Sequence, residues 1–214
     1  MKELILQHMK ESCPWQDSLL WFDSIDSTNT RARELALQGA PGGTVLIADH
    51  QTGGRGRLGR SFHSPAGKGL YLSVLLRPRC KAAELMHLTC AAAVAAARAL
   101  PIACGIKWTN DLVVGSKKLG GILTELSISP QGMVDYAVVG IGINCNQVDF
   151  PEEIANIACS AATVLGKTVD RQTLIDALLA EIPTMTAPSN VIMPQYRANC
   201  VTLGKVVRAI RGDT

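Results

Sequence analysis

The sequence predicts an α/β fold, because segments with the character of strands and of helices alternate along the chain. Two short apolar runs, Thr44–Asp49 and Leu70–Leu76, have the length and composition of buried strands. The alanine-rich segment Lys81–Leu100, stopped by Pro101, predicts a long helix. A chain of 214 residues with 47% hydrophobic residues can bury a sizeable core, so we expect one large domain with at most a small appendage.

The first predicted strand-to-helix junction carries a row of polar side chains. We expect a short strand at Trp21–Ile25 and an amphipathic helix that ends at Leu37, before Gly39. The intervening residues Asp26–Asn29 offer a choice of helix N-caps, which is the default interpretation of such a run. Capping needs only one of them, so the alternative remains that Ser27–Asn29 hold a polar ligand.

The second half of the chain predicts more strands, a hairpin and a helical region. The turn Gly115–Lys117 separates two apolar segments, which indicates a β-hairpin. The elements that we expect are a strand at Ile102–Trp108, hairpin strands at Asp111–Gly115 and Lys118–Leu126, a strand at Met133–Asn146, two helices within Pro151–Ile182 with a break at Lys167–Asp170, and a last strand from Val201 to Arg211.

The segment Gln51–Leu70 has the most unusual composition of the chain. It combines three arginines and a lysine with six glycines and has no apolar face. It therefore buries too little apolar surface to offset the conformational entropy that it would lose on becoming ordered. Glycine lets backbone amides approach an anion closely, and arginine provides forked donors that fit phosphate or carboxylate. We therefore interpret its central part, Gly54–Arg60 (the clamp loop), as a mobile segment that becomes ordered around an anionic ligand.

Three other interpretations apply to the clamp loop. It could be only a solvated connection, as basic glycine-rich loops often are. Gly54, Gly56 and Gly59 match the G-x-G-x-x-G dinucleotide fingerprint, but a strand and not a helix follows them, so a pyrophosphate would find no helix N-terminus. An arginine arm in a DNA minor groove is disfavoured by a net charge of only +3.

Composition argues against several classes of protein. No window reaches the roughly 18 uninterrupted apolar residues of a membrane span, and the charged amino terminus does not resemble a signal peptide. The seven cysteines are widely spread and lack zinc-finger spacing, so we expect most of them to be reduced and buried in a cytoplasmic protein. Residues 1 to 20 are too few for a helix-turn-helix domain, so we assign no DNA-reading module there.

A second group of charged residues and glycines follows the clamp loop in sequence. Lys107 and Asp111 bracket one predicted turn, and Lys118 begins the next strand directly before a glycine pair, Gly120–Gly121. Glycines weaken a strand unless something must approach its backbone, so we expect a ligand rather than only solvent near Lys118. The alternating glycines of Val138–Asn144 likewise leave room against one face of a strand.

Together these motifs resemble the biotin–protein ligase family, whose members biotinylate the carrier domains of carboxylases. The matching residues appear in the family's order over about residues 20 to 150, and they are Ser27-Thr28-Asn29, Gln51, Gly54–Arg60, Lys107–Asp111, Lys118–Ile122 and Gly140–Asn144. The resemblance implies a mixed, largely antiparallel sheet with flanking helices, as in class II aminoacyl-tRNA synthetases. It also implies a reaction in which biotin and ATP give biotinyl-5′-AMP and pyrophosphate, before a lysine of an acceptor protein takes the biotinyl group.

The resemblance implies a role for each matching residue. Those expected to act in catalysis are Lys118, Arg57 and Lys107. Those expected to bind biotin are Ser27, Thr28, Asn29, Gln51, Arg55, Gly56, Arg57, Lys118, Gly121 and Gly140. Those expected to bind ATP or the adenylate are Arg55, Arg57, Arg60, Phe62, Lys107, Asn110 and Asn144. Asp111 corresponds to the Mg²⁺ position, where a single carboxylate suits a cation that is held largely by phosphates.

The resemblance also implies a domain organisation and a set of partners. Residues 1–198 are expected to form the catalytic domain, and residues 199–214 the first strand of a small SH3-like domain that is otherwise absent. The expected cofactor is Mg²⁺, the substrates are biotin and ATP, and the acceptor is a biotin carboxyl carrier protein. We expect no DNA and no membrane partner, and a homodimer is allowed. Thr109 and Phe62 depart from the proline and the tryptophan that the family often has.

Two rival functions stay open. A lipoate or octanoyl ligase or transferase of the same superfamily would use a similar site, although the clamp loop and the Lys118–Gly121 strand favour biotin. A non-catalytic module that binds anions or nucleic acid through the clamp loop would show salt-sensitive nucleic-acid binding and no biotin-dependent release of pyrophosphate.

Overall fold

The chain folds around one mixed sheet. The computed structural model describes residues 18 to 207. Within that range the strands are β1 (Leu19–Phe22), β2 (Val45–Ala48), β3 (Gly69–Leu76), β4 (Gly105–Lys107), β5 (Asp111–Val114), β6 (Lys117–Ile128) and β7 (Val134–Asn144). Their spatial order is β1-β2-β3-β7-β6-β5-β4, in which β1 and β2 are parallel and every other pair of neighbours is antiparallel. The predicted mixed, largely antiparallel sheet is confirmed.

Helices cover both faces of this sheet. In the described part of the chain they are α1 (Thr28–Leu37), α2 (Leu88–Ala99), α3 (Glu152–Ala155), α4 (Ala161–Leu165), α5 (Arg171–Ala180), α6 (Ile182–Met185) and α7 (Ser189–Asn199). On one face, α2 packs into the main core through the buried run Cys90–Ala96, whose small side chains let the helix lie close to the sheet. On the other face, Ala32 and Ala36 of α1 pack against Leu75 and Val138.

The helical regions differ from prediction in their bounds. The predicted helix Lys81–Leu100 is interrupted, because the Glu84 side chain accepts a hydrogen bond from the Lys81 N–H and closes a separate 3₁₀ turn at Ala82–Leu85. The regular helix begins only at Leu88. The predicted region Pro151–Ile182 contains α3, α4, α5 and the start of α6. Helix α7 was not predicted, and it contains Pro194, a residue type that usually interrupts helices.

The two edges of the sheet are shorter than predicted. The strand expected at Ile102–Trp108 is limited to Gly105–Lys107, where β5 offers pairing partners. The strand expected at Trp21–Ile25 occupies Leu19–Phe22 instead, in register with β2. Residues 201 to 205 form turns rather than the start of the expected last strand. Residues 1–17 and 208–214 lie outside the described residues, so the assignments made there stay predictions.

The cysteines that can be described are free thiols. Those at positions 90, 145, 159 and 200 are buried, and those at 80 and 104 are partly buried. The prediction of mostly buried, reduced cysteines is therefore confirmed for this part of the chain, while Cys13 lies outside it. Burial raises the pKa of the Cys145 thiol to about 12 and that of Cys104 to about 11. Within residues 18 to 207, no helix has both the length and the apolar character needed to cross a bilayer.

Candidate active site

A small cleft, with a cavity volume of about 50 Å³, opens on the sheet face that carries α1. Side chains alternate along a strand, so β7 presents Val138 and then positions 140 and 142 to this face. A Cβ atom on Gly140 would lie 2.1 Å from Asn29 Oδ1, and one on Gly142 would lie 2.7 Å from Phe62 Cε1. The two glycines therefore make the space that side chains from α1 and from beyond the clamp loop enter.

Most of the residues that the motifs predict come together in this cleft. Those that line it are Ser27, Thr28, Asn29, Gln51, Arg55, Gly56, Arg57, Phe62, Asn110, Lys118, Gly121 and Gly140. Those that do not line it are Arg60, Lys107, Asp111 and Asn144. The remaining lining residues include Tyr71, Leu72, Ile122 and Ile141, which add apolar surface. The cleft thus combines an apolar lining with a few convergent polar and cationic groups, as small-molecule sites usually do.

A hydrogen-bond network orders the polar end of the cleft. The Thr28 N–H donates to Gln51 Oε1 at 2.8 Å, and Gln51 Nε2 donates to Ser64 Oγ at 3.0 Å. The Ser73 hydroxyl lies 2.7 Å from both Thr28 Oγ1 and Asn29 Oδ1. These groups are largely withdrawn from solvent and hold one another in place, so this end of the cleft is preorganised.

The default capping interpretation of the polar row is wrong for its side chains. Ser27 occupies the N-cap of α1, but its hydroxyl makes no capping hydrogen bond. The first N–H of the helix, that of Thr28, is bonded by the Gln51 side chain instead. The Ser27 side chain is buried and lines the cleft, and its role toward a ligand stays a prediction.

Lys118 borders the cleft from β6 and forms an ion pair. Its Nζ lies 2.6 Å from Asp111 Oδ1, and both side chains are partly exposed. A Cβ on Gly121 would approach Lys118 Cε to 3.3 Å, so the glycine keeps the space in which the lysine lies. The backbone of Lys118 is held by hydrogen bonds with Ile157 and Cys159, at 2.7 and 2.9 Å. Part of the space beside the Gly120–Gly121 pair is therefore filled by the Lys118 side chain itself.

Three residues of the clamp loop, Arg55, Gly56 and Arg57, line the cleft, while most of the loop is exposed to solvent. Arg57 Nη1 donates to Asn110 Oδ1 at 2.8 Å and to Thr109 Oγ1 at 3.2 Å. The Gly56 N–H donates to the Arg60 carbonyl at 2.7 Å and closes the loop on itself. The loop therefore brings Arg55 and Arg57 to the same cavity as Lys118, while Arg60 points outward and is exposed.

Besides Arg60, two further residues predicted to contact nucleotide do not line the cleft. Lys107 is exposed at the end of β4, where its backbone lies opposite that of Asp111 in the β4–β5 register. Asn144 is buried, and its Nδ2 donates to the Cys159 carbonyl at 3.0 Å. Because Cys159 is also bonded to Lys118, Asn144 supports the strand segment that carries the lysine. Nucleotide contacts by these two residues stay predictions.

The predicted metal position is a single carboxylate. Across residues 18 to 207, no group of three or more His, Cys, Asp or Glu side chains is arranged to hold a metal ion. Asp111 is engaged by Lys118, so the protein itself offers one shared carboxylate. That arrangement fits only a cation that arrives with most of its oxygen ligands, as Mg²⁺ does on nucleotide phosphates. The Mg²⁺ assignment stays a prediction.

Sequence reasoning missed three polar side chains at or near the cleft, which are Tyr71, Ser73 and Glu125. Tyr71 and Ser73 interrupt the otherwise apolar strand β3, and a polar group at a buried position needs a partner, so this interruption was the available signal for those two. Glu125 lies among other polar residues of β6 and gave no such signal. The Tyr71 ring meets the Phe62 ring edge-on, with centroids 6.4 Å apart, and its hydroxyl donates to the Pro65 carbonyl at 3.1 Å. Burial raises the pKa of the Tyr71 phenol, so it stays neutral.

Comparison with known proteins agrees with the resemblance. Residues 21–144 match the biotin/lipoate A/B protein ligase family. The bifunctional ligase/repressor BirA of Bacillus subtilis is 41% identical over 167 residues, which are 75% of this chain and 51% of that protein. The biotin–[acetyl-CoA-carboxylase] ligase of Mycobacterium tuberculosis is 32% identical over 204 residues, which are 87% of this chain and 73% of that protein.

A solved structure shows the same fold. The biotin protein ligase of Aquifex aeolicus, solved in complex with biotin and ATP, is 33% identical and superimposes with a TM-score of 0.71 over 88% of this chain and 80% of that chain. The chain spans about half the length of the BirA proteins of Bacillus, 51% in each case. The match over residues 21–144, together with the 32% identity to the Mycobacterium tuberculosis ligase over 73% of its length, establishes that this chain belongs to the biotin/lipoate A/B protein ligase family.

Proposed function

We propose that this protein is an ATP-dependent biotin–protein ligase, which forms biotinyl-5′-AMP and transfers biotin to a lysine of a biotin carboxyl carrier protein. The observation that carries the proposal is that Arg55, Arg57 and Lys118 line one cleft together with the uncharged polar side chains of Ser27, Thr28 and Gln51. The ligase names of the relatives, and the biotin and ATP in the Aquifex aeolicus structure, support it.

The uncharged end of the cleft suits the polar ring of biotin. Ser27, Thr28 and Gln51 offer hydroxyl and amide groups there without any formal charge. The lining residues Leu72 and Ile141 suit the apolar part of the vitamin. In this orientation the biotin carboxylate extends toward the cationic end of the cleft.

The cationic end suits the adenylation step. An oxygen of the biotin carboxylate attacks the α-phosphorus of ATP, and the bond from that phosphorus to pyrophosphate breaks. Two anions must approach each other, so Lys118 and Arg57 contribute by offsetting their charge as it accumulates. The carboxylate is already ionised at neutral pH, so this step needs no general base. Because Asp111 pairs with Lys118, we expect the ammonium to be shared between this carboxylate and the substrate.

The outer part of the site would hold the nucleotide. Lys107 and Arg60 are exposed cations outside the cleft lining and are assigned to the phosphates, where Mg²⁺ with Asp111 would add further neutralising charge. The residues assigned to the nucleoside are Phe62, Asn110 and Asn144. The first two line the cleft, and Asn144 would have to exchange its bond with Cys159.

The clamp loop suits the second step. The amine of the acceptor lysine attacks the acyl carbon of the adenylate, and AMP leaves with the electrons of the broken anhydride bond. A mixed anhydride is readily hydrolysed, so a loop that excludes water from it until the acceptor arrives protects the product of the first step.

Biotin-dependent exchange of labelled pyrophosphate into ATP tests the proposal. Lys118→Ala should lower the exchange rate about 100-fold, as removal of one charge-stabilising donor commonly does, with an unchanged melting temperature. Lys117→Ala is the matched control, since Lys117 is the exposed neighbour on the same strand and does not line the cleft. It should exchange at the wild-type rate. Normal exchange in Lys118→Ala would contradict the role of this lysine.

Two further measurements separate the rival functions. Calorimetric titration with biotin and with lipoate distinguishes the two branches of the family, and we expect heat of binding for biotin alone. Titration with single-stranded and duplex oligonucleotides at two salt concentrations tests the nucleic-acid module. Salt-sensitive binding together with no biotin-dependent exchange would favour that module over the ligase.

A further inference from the structure

We propose that Glu125 is a positioning residue that fastens the clamp loop to the sheet and so sets the affinity for biotin. This inference rests on the proposed function, because it assigns a further residue to the same site. The Glu125 carboxylate lies on β6 with its side chain only 21% exposed. It meets Arg55 of the clamp loop twice, with Nη2–Oε1 at 3.1 Å and Nη1–Oε2 at 3.3 Å.

The clamp loop is tied down at two points, and Glu125 provides one of them. The second half of the loop is held by Arg57, which donates to Asn110 near β5. In the first half, the only side-chain hydrogen bonds of Arg55 to the residues that the structure describes go to Glu125. A paired, forked guanidinium–carboxylate contact is both stronger and more directional than a single surface ion pair. Without Glu125, the first half of the loop would lose its side-chain attachment to the sheet.

Glu125 also connects the loop to the polar end of the cleft. Its Oε2 accepts a hydrogen bond from Asn29 Nδ2 at 2.9 Å. This contact turns the Asn29 Oδ1 toward the Ser73 hydroxyl, 2.7 Å away, which in turn contacts Thr28. One carboxylate therefore orders the clamp loop and the α1 side chains assigned to biotin at the same time.

Glu125 is too far from the reacting groups to act in the chemistry itself. It stands seven positions after Lys118 on the same strand, a separation of roughly 20 Å at the usual rise per residue. That is about twice the distance over which charges are screened at physiological salt. Its loss should therefore change binding and leave the chemical step unaltered.

A double-mutant cycle tests this role. Glu125→Gln should raise the Kd and the KM for biotin about tenfold, as expected for the loss of one charge-assisted contact, while kcat of pyrophosphate exchange stays unchanged. Arg55→Gln should weaken biotin binding at least as much, because Arg55 also lines the cleft. The double variant should be no worse than Arg55→Gln alone, because the Glu125 contact is already lost in that variant. The matched control is Arg33→Gln. Arg33 reaches the same carboxylate at 3.5 Å but lies on α1 and not on the loop, so the Kd should not change.

Limited trypsin digestion without any ligand tests the attachment independently of biotin. Cleavage after Arg57 and Arg60 should be about tenfold faster in Glu125→Gln than in wild type or Arg33→Gln, because proteolysis follows the population of the open loop. If wild type binds no biotin, the proposed function fails, and the digestion still decides the role of Glu125. Unchanged cleavage, a wild-type Kd in folded Glu125→Gln, a reduced kcat, or effects that multiply in the double variant would each overturn the inference.

Discussion

Alanine at position 140 should reduce both stability and ligand binding, because the new methyl group and the Asn29 amide would occupy the same space. The Cβ would lie 2.1 Å from Asn29 Oδ1 and 2.9 Å from Cγ, far inside the ~3.5 Å separation of non-bonded atoms. Asn29 is buried, and it can move aside only by leaving Ser73 and the charged Glu125. One neutral and one charge-assisted hydrogen bond together are worth about 3 kcal/mol.

Thermal and urea unfolding would measure this loss. A decrease of about 3 kcal/mol corresponds to a fall of about 10 °C in Tm for a chain of this size. Gly53→Ala is the control, since its Cβ would meet only Asp26 O at an ordinary 3.4 Å and Tm should stay near that of wild type. A second test removes the obstacle. In an Asn29→Ala background, Gly140→Ala should cost little. Wild-type stability of Gly140→Ala, or an equal loss in both backgrounds, would refute the steric argument.

Two further predictions concern groups behind the cleft. Arg171 is 5% exposed and lies 2.7 Å from Asp49, so Arg171→Met should cost about 3 kcal/mol in urea unfolding by leaving a carboxylate unpaired. Adding Asp49→Asn should recover part of this loss, and Arg98→Met, which breaks a more exposed pair, should cost under about 1 kcal/mol. Burial raises the pKa of Cys145 from 9.0 to about 12, so the unfolded chain ionises first and the free energy of unfolding should fall as pH rises through that window. Cys145→Ala should reduce this slope by up to about 1.4 kcal/mol per pH unit, and equal slopes in the two proteins would count against it.

The motifs predicted which residues line the cleft better than which residues bond to one another there. Glycines at 140 and 142, on one face of a strand, signalled that something enters there, and the structure shows Asn29 and Phe62 in that space. The basic, glycine-rich loop was expected at the ligand, and three of its residues line the cleft. The Lys118–Asp111 ion pair and the role of Glu125 were not predicted. Both depend on which residues of neighbouring strands or loops face each other, and a single strand does not encode that register.

Local patterns in the sequence were sufficient for the central strands of the sheet, the loop composition and the positions that must stay small. Strand alternation, turn glycines and charge density act over a few residues, so each can be recognised without knowing the rest of the fold. Tertiary structure alone decided that the Gln51 side chain, and not that of Ser27, accepts the first N–H of α1. It also decided that one carboxylate, that of Glu125, joins the clamp loop to the cleft. These contacts join residues far apart in the chain, and their energies exist only once the backbone has brought the partners within hydrogen-bonding distance.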